Sequence, residues 1–440
     1  MEELVFQYPL KKLGQFDLTE PIRNYDIKKK DRNILRELAY NKAEIADLSI
    51  HKEKINLWKD LNSLRKTRPL VWINEIPWNE LNYDDELTLK TNSVFARFLE
   101  TRLRRTLYLW KHIPVDSIME TTIPCYPVIK DTGFDISEQA IISKTDEKND
   151  IFSREFIKQI KNNDDIEKIK IPGVSLNKIE TENMYQSMRG IFDGVLAVEK
   201  KGIPGFWFAP WDELIRWWGV QDALLDMILK PDLIHKAMEK LTNAYLKQLD
   251  QYEEQGLLSL NSCNYRIGSG GLGYTDELPN KDYNPDYIVA KDLWGCGAAQ
   301  IFSDVSPAMH EEFALNYEIR YMSRFGLNYY GCCEPLDKKI DILRKIPNLR
   351  KISISPWSDL KNAAEKIGRD FVVSFKPNPA FLASESWNLD FMKKDLESSL
   401  KKIRNCHVEI ILKDISTVKY EPQRLWKWAD MAMEIVNNYE

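Results

Sequence analysis

The chain has 440 residues, 43% of them hydrophobic and 29% charged, with a formal net charge of -5 and a pI near 5.8. That balance excludes a disordered chain and leaves no domain-wide positive field for a phosphate backbone, so nucleic acid is not an expected partner. The length suits a single enlarged barrel domain. The stretch MEELVFQYPLKKLGQFD lacks the basic, apolar and small-residue segments of a secretory signal, and no apolar run is long enough to span a bilayer. The expectation is a cytoplasmic protein without a membrane partner. Six cysteines, with Cys332 beside Cys333, are too sparse for a disulfide-stapled scaffold, so reduced thiols are expected.

In chain order, residues 1–66 are charged and helical in pattern and predict an N-terminal helical extension layered outside the main domain, which occupies 67–440. A first strand is predicted at 115–122, followed by a polar, lysine-rich insertion over 130–200 that either folds across the site as a lid or makes a surface excursion. Further short apolar runs at 204–209, 257–263, 298–304, 327–333, 350–355, 371–376 and 407–414 bring the count to eight. Between them, Ile234, Ala237, Met238, Leu241, Tyr245, Leu249 and Tyr252 recur at helical spacing until Gly256, and Ser306-Pro307 opens a helix that Gly326 stops. Strand–helix alternation with eight strands predicts an α/β fold, a (β/α)8 TIM barrel. The glycine-rich 266–274 lacks the following helix of a dinucleotide fingerprint and reads better as a mobile loop.

Such a barrel works at the carboxyl ends of its strands, which selects the polar residues to weigh. Glu120, Asn261, Lys376, Asn378, Lys413 and Asp414 fall there, as do Trp211 and Trp357. Each of them also serves equally well as a loop cap or core residue. Cys332-Cys333-Glu334 is the densest group, offering thiolate and carboxylate as an acid/base pair or, with a carboxylate such as Asp304, as ligands for zinc. If strand geometry persists there, at most one of the two cysteines points inward. No His-x-x-x-His or Cys-x-x-Cys spacing is present.

Four stretches in order resemble the uroporphyrinogen decarboxylase superfamily: RPLVWINEIPW (68–78), FWFAPWDELIRWW (206–218), the helix at 229–256, and 302–341 from FSDVSPAMHEEF to YYGCCEPLDKKID. The resemblance implies a barrel of the uroporphyrinogen decarboxylase type with the N-terminal extension and the insertion after the first strand. Decarboxylases of that family carry arginines after the opening motif, whereas this chain reads Ile73-Asn74-Glu75-Ile76-Pro77-Trp78, which argues against a polycarboxylate. The corrinoid-dependent methyltransferases of the same superfamily fit better. Their thiol-activating members hold zinc with a His-x-Cys turn and a later cysteine; here the turns are Gly331-Cys332-Cys333 and Lys413-Asp414, so Cys333 alone is kept.

What the resemblance implies is transfer of a methyl group from a small methylated substrate, a methoxy-aromatic above all, to the corrinoid (cobalamin) of a partner protein, with zinc as a second cofactor at Cys333, Glu334 and Asp304. Glu334, Glu120, Lys413 and Asp414 are then the catalytic candidates. Trp72, Glu75, Trp78, Trp211, Asn261, Trp357, Lys376 and Asn378 are the substrate-binding ones. A homo-oligomer is compatible with this reading. The alternatives are a decarboxylase of a small aromatic acid and a non-catalytic barrel that binds a corrinoid or tetrapyrrole.

Overall fold

The computed structural model describes residues 24–143 and 153–439, so 1–23 of the predicted extension and 144–152 of the predicted insertion lie outside the described residues. Twelve strands occur among the described residues. They are β1 (Leu70–Ile73), β2 (Thr122–Cys125), β3 (Ile129–Asp131), β4 (Ala140–Ser143), β5 (Ser153–Phe156), β6 (Val174–Leu176), β7 (Ala197–Lys200), β8 (Trp294–Gly297), β9 (Leu327–Tyr330), β10 (Leu349–Ile354), β11 (Val372–Phe375) and β12 (His407–Leu412). Six of them form one sheet in the order β1-β12-β11-β10-β9-β8, and every pairing in it is parallel. Leu70 stands opposite Glu409 and Ile73 opposite Leu412, so the first strand of the sheet lies beside the last.

The fold is therefore α/β around a parallel sheet, while the eight predicted strands do not close a ring among the described residues. The runs at 327–333, 350–355, 371–376 and 407–414 contain strands as predicted, short and buried on both faces. Residues 204–209 and 257–263 contribute only isolated parallel bridges, Ile203–Leu258 and Phe208–Gly297. The first predicted strand is displaced: β2 begins at Thr122, and 115–121 forms a loop whose Asp116 amide donates to Val71 O at 3.0 Å. β1 itself was not predicted as a strand. The fourth run is also displaced, since Trp294–Gly297 is extended and 298–304 turns; a Cβ on Gly295 would come within 2.5 Å of Phe325, so close helix packing there requires glycine.

Side chains alternate across the sheet. One face presents Tyr330, Ile352, Ile354, Val373, Ile410 and Leu412 to a helix-covered apolar core. The other presents Tyr329, Lys351, Ser374 and Glu409, all buried, with Lys351 and Glu409 paired at 2.8 Å. The glycine-rich segment 266–274 covers this polar face: a Cβ on Gly268 (φ +56°) would lie 2.5 Å from Tyr329, so the segment is a packed plug, contrary to the mobile loop predicted.

The N-terminal helices α1 (Lys29–Ala46) and α2 (Ile50–Asn62) confirm the helical pattern, but α2 is not an outer layer. Its Trp58 is fully buried and donates to Asp116 O at 2.8 Å, and Asn62 Nδ2 donates to Leu272 O and Tyr274 O. Helix α3 (Val94–His112) is capped by the Ser93 hydroxyl, which accepts from the Ala96 amide, and buries Phe95, Leu99 and Leu103 against α1. The helix Pro231–Glu254 buries every apolar position predicted for it. Ser306 caps the next predicted helix at Met309 N, 3.2 Å away. No helix among the described residues is long and apolar enough to cross a membrane.

Candidate functional site

Two features share the ground beyond the strand ends. The first is a cavity of about 380 Å3 between α3, the segment after β1, residues 117–126 and residues 205–207 and 261–268. Trp72, Trp78, Trp110, Trp207 and Trp294 all line it, giving flat apolar walls. No described residue from 130–200 lines it; Ile160, Ile166 and Ile169 of that stretch, and Met188 and Phe192, are buried in hydrophobic clusters instead.

Of the predicted binding residues, Trp72, Glu75, Trp78 and Asn261 line the cavity, as does the catalytic candidate Glu120. The polar atoms of Asn261 are already engaged: Oδ1 accepts from Trp294 N at 2.8 Å and Nδ2 donates to Trp294 O at 2.9 Å. Glu120 accepts from the Tyr274 hydroxyl at 3.0 Å. Trp211, predicted as a wall, is instead fully buried in the core, donating to Phe313 O at 2.9 Å, because its helix turns that face toward Phe302. Trp357 is 71% exposed and does not line the cavity. Asn378 lies before the short helix after β11, its Oδ1 accepting from Ala380 N at 3.0 Å.

Sequence reasoning missed the cationic wall. Arg102 and Arg105 of α3 line the cavity with Lys42 and Arg266, and the Arg105 guanidinium lies 4.7 Å from the Trp78 ring centroid. The signal was present as Arg102, Arg105, Thr106, Leu109 and Trp110, spaced i, i+3, i+4, i+7 and i+8 on one helical face. Guanidinium groups absent from the opening motif thus arrive from another element, which removes the Coulombic argument against a carboxylate.

The second feature is an ionic cluster. Lys413 follows β12, and its ammonium lies 2.7 Å from Asp414 Oδ2, 3.4 Å from Glu75 Oε2, and 3.4 and 3.6 Å from the sulfurs of Cys332 and Cys333. The chain bends at residues 332–334, so strand alternation has ended and both sulfurs reach the same cation, contrary to the expectation that at most one points inward. The sulfurs are 3.5 Å apart, so the single proton of Cys333 has two acceptors in reach, the Cys332 sulfur and Asp414 Oδ2 at 3.4 Å. The hydrogen bond from Cys333 draws the Cys332 thiol down to about 6, with Lys413 assisting, while the same contact pushes Cys333 up. Burial opposes the charge on Lys413, but Cys332, Glu75 and Asp414 outweigh it and raise its pKa.

Glu75 joins the two features, since it lines the cavity and pairs with Lys413 and with Arg266, the latter at 3.1 Å. Burial and the hydrogen bond with Asp414 raise its pKa, and the same bond, with Lys413, overcomes burial to hold Asp414 at about 2. Both carboxylates sit on left-handed backbone, φ +53° at Glu75 and +56° at Asp414. Aspartate tolerates that region but glutamate rarely adopts it, so the fold sustains strain to place Glu75.

Lys376 and Glu334 flank the cluster. Burial brings Lys376 down to about 7, and its amine bonds the Tyr329 and Ser374 hydroxyls at 2.6 and 2.8 Å. Burial, then the Cys332 charge, pushes Glu334 up to about 7; Oε2 accepts from Cys332 N at 2.9 Å and Oε1 has no partner. The predicted metal set does not assemble: Asp304 is exposed, Glu334 is turned to the backbone, and Cys333 meets the Lys413 ammonium. Among the described residues no three histidine, cysteine or acidic side chains are grouped to hold a metal ion. No protein-family model matches the chain, and no curated protein matches it.

Proposed function

We propose that the protein transfers a methyl group from a methoxy-aromatic molecule to the corrinoid of a separate carrier protein, with Glu75 as the acid that releases the aromatic oxygen. In the same proposal the six-stranded sheet, extended through the bridges at Ile203 and Phe208, belongs to a (β/α)8 barrel of the uroporphyrinogen decarboxylase type. One observation carries the reading: a carboxyl held on left-handed backbone at the edge of an indole-walled cavity, with its pKa raised by burial. Phenolate is a poor leaving group unless it is protonated as the carbon–oxygen bond breaks.

The indole faces take the ring, and a cavity of about 380 Å3 suits one substituted ring rather than a macrocycle. The corrinoid is accordingly a second substrate, and the chemistry it supplies is acceptance of the methyl group. The chain's own residues orient the ether, exclude water and keep a proton on Glu75, while Asp414 and Lys413 carry the compensating charges. Zinc does not fit the predicted set, because Lys413 already places a cation against both sulfurs. No step depends on it.

A panel of methoxybenzoates, other methoxy-aromatics, methylamines and methanol, incubated with the protein and reduced cobalamin, tests the proposal. Release of the phenol is expected, and Glu75→Gln slows it on the order of 100-fold or more. The rate falls as pH rises through the raised pKa of Glu75, because the acid form is then lost. Absence of demethylated product across the whole panel overturns the reading. The cavity guanidiniums also favour decarboxylation of an aromatic acid as a second reading, and carbon dioxide release without loss of methyl distinguishes it.

A further inference from the structure

We propose that Cys332 and Cys333 form an oxidisable dithiol that closes to a disulfide between adjacent residues when it meets a hydroperoxide. The inference concerns the thiols alone and is independent of the substrate assigned to the cavity. Three observations carry it. The sulfurs lie 3.5 Å apart in a bend, close enough to bond, and Cα atoms only ~3.8 Å apart make the resulting bridge a strained, readily reduced one. The Lys413 ammonium, 3.4 and 3.6 Å from them, favours the anionic form of sulfur, which is the nucleophile. Cys333 is exposed, so solvent reaches the pair at its outer sulfur, while Cys332 is 8% exposed.

The other cysteines lack this setting. Burial pushes the thiols of Cys125, Cys263 and Cys406 up to about 11, whereas the Cys332–Cys333 pair has the Lys413 ammonium against both sulfurs. Selectivity for the adjacent pair follows from position and charge together.

In the first step the Cys332 thiolate attacks one peroxide oxygen and the O–O bond breaks. The departing hydroxide takes a proton from solvent to leave as water, and Cys332 becomes a sulfenic acid. In the second step Cys333 attacks the Cys332 sulfur, and its proton is taken up by the hydroxide that departs. The S–O bond breaks, and that hydroxide leaves as water. Two thiols are oxidised, one hydrogen peroxide is reduced, and two waters form; an organic hydroperoxide would release an alcohol in place of the first water. Closure removes the thiolate from Lys413, leaving its charge to Asp414 and Glu75.

The test uses the full chain, reduced and then treated at pH 7 with one equivalent of hydrogen peroxide before alkylation of the unfolded protein and mass spectrometry. The expected result is four alkylated cysteines of the six, with the 332–333 peptide lighter by two hydrogens and restored by dithiothreitol. Cys333→Ser should stop at a sulfenic acid on Cys332, trapped by dimedone. Lys413→Met should slow oxidation about tenfold or more. Oxidation spread evenly over the cysteines, a dimer linked through Cys333, or no sulfenic acid in Cys333→Ser overturns the proposal. The last two readouts do not depend on whether Lys413→Met folds.

Discussion

Glu334 is a carboxyl with no counter-ion in contact, fully buried, with one oxygen satisfied by the Cys332 amide and the other by nothing. Burial followed by the Cys332 charge lifts its pKa from 4.5 to about 7. A folded-state pKa above the unfolded one stabilises the fold fully below pH 4.5, and that contribution is lost as pH rises through about 7. Glu334→Gln keeps an acceptor for the Cys332 amide and cannot ionise. It should therefore gain on the order of 2–3 kcal/mol over the parent at pH 8, with the gain shrinking toward pH 5. Urea midpoints across that range measure the difference, and a pH-independent gap would show that burial of charge is not its source. Glu75 is the contrasting residue: it too is raised, yet it has Lys413, Arg266 and Asp414 as partners and faces the cavity. The difference separates a carboxyl that borders the cavity from one enclosed behind the strand ends.

The sheet explains why an enclosed charge is tolerated at all. Its inner face carries Lys351 and Glu409, each wholly buried and 2.8 Å apart, with the Lys351 ammonium 5.6 Å from the ring centroids of both Trp58 and Trp294. Lys351→Met leaves the Glu409 carboxylate without its cation and should cost about 3–5 kcal/mol in urea unfolding, whereas adding Glu409→Leu should recover most of that loss. A double variant no more stable than the single one would refute the pairing. Strands β9 to β12 were legible as short runs rich in aliphatic and aromatic residues, despite Lys351, Ser374 and Glu409 within them, and the helix Pro231–Glu254 because its period is sustained over six turns. Strand β8 was not legible, since Gly295 and Gly297 read as turn residues while packing demands them. The cationic face of α3 was likewise obscured: arginines at helical spacing ordinarily face water, and only the tertiary structure reveals that these border a cavity.

At the scale of the whole molecule, the adjacency of β1 and β12 brings residues more than 300 positions apart into one site, joining Glu75 to Lys413 and Asp414. Strand-end reasoning anticipated Lys413, Asp414 and the thiols as chemistry-bearing residues, but their convergence on Glu75 depends on a pairing between chain ends that no local pattern encodes. The same holds for α2, whose charged sequence suggests a peripheral layer although its buried stripe closes the polar face of the sheet. Trp58 donates to Asp116 O, and Asp116 in turn accepts from Arg68 and from the Val71 amide within β1. A Cβ on Gly271 would lie 2.2 Å from the Trp58 ring, so the plug segment also rests on this indole. Trp58→Ala should therefore cost about 3–5 kcal/mol. Because the indole ties α2, β1 and the plug together, the loss should appear as one shifted cooperative transition, with far-ultraviolet circular dichroism and tryptophan fluorescence coinciding along a urea titration. A peripheral α2 would behave differently: the substitution would cost about 1 kcal/mol or less and an early, separate transition would report the helix detaching from an otherwise intact sheet.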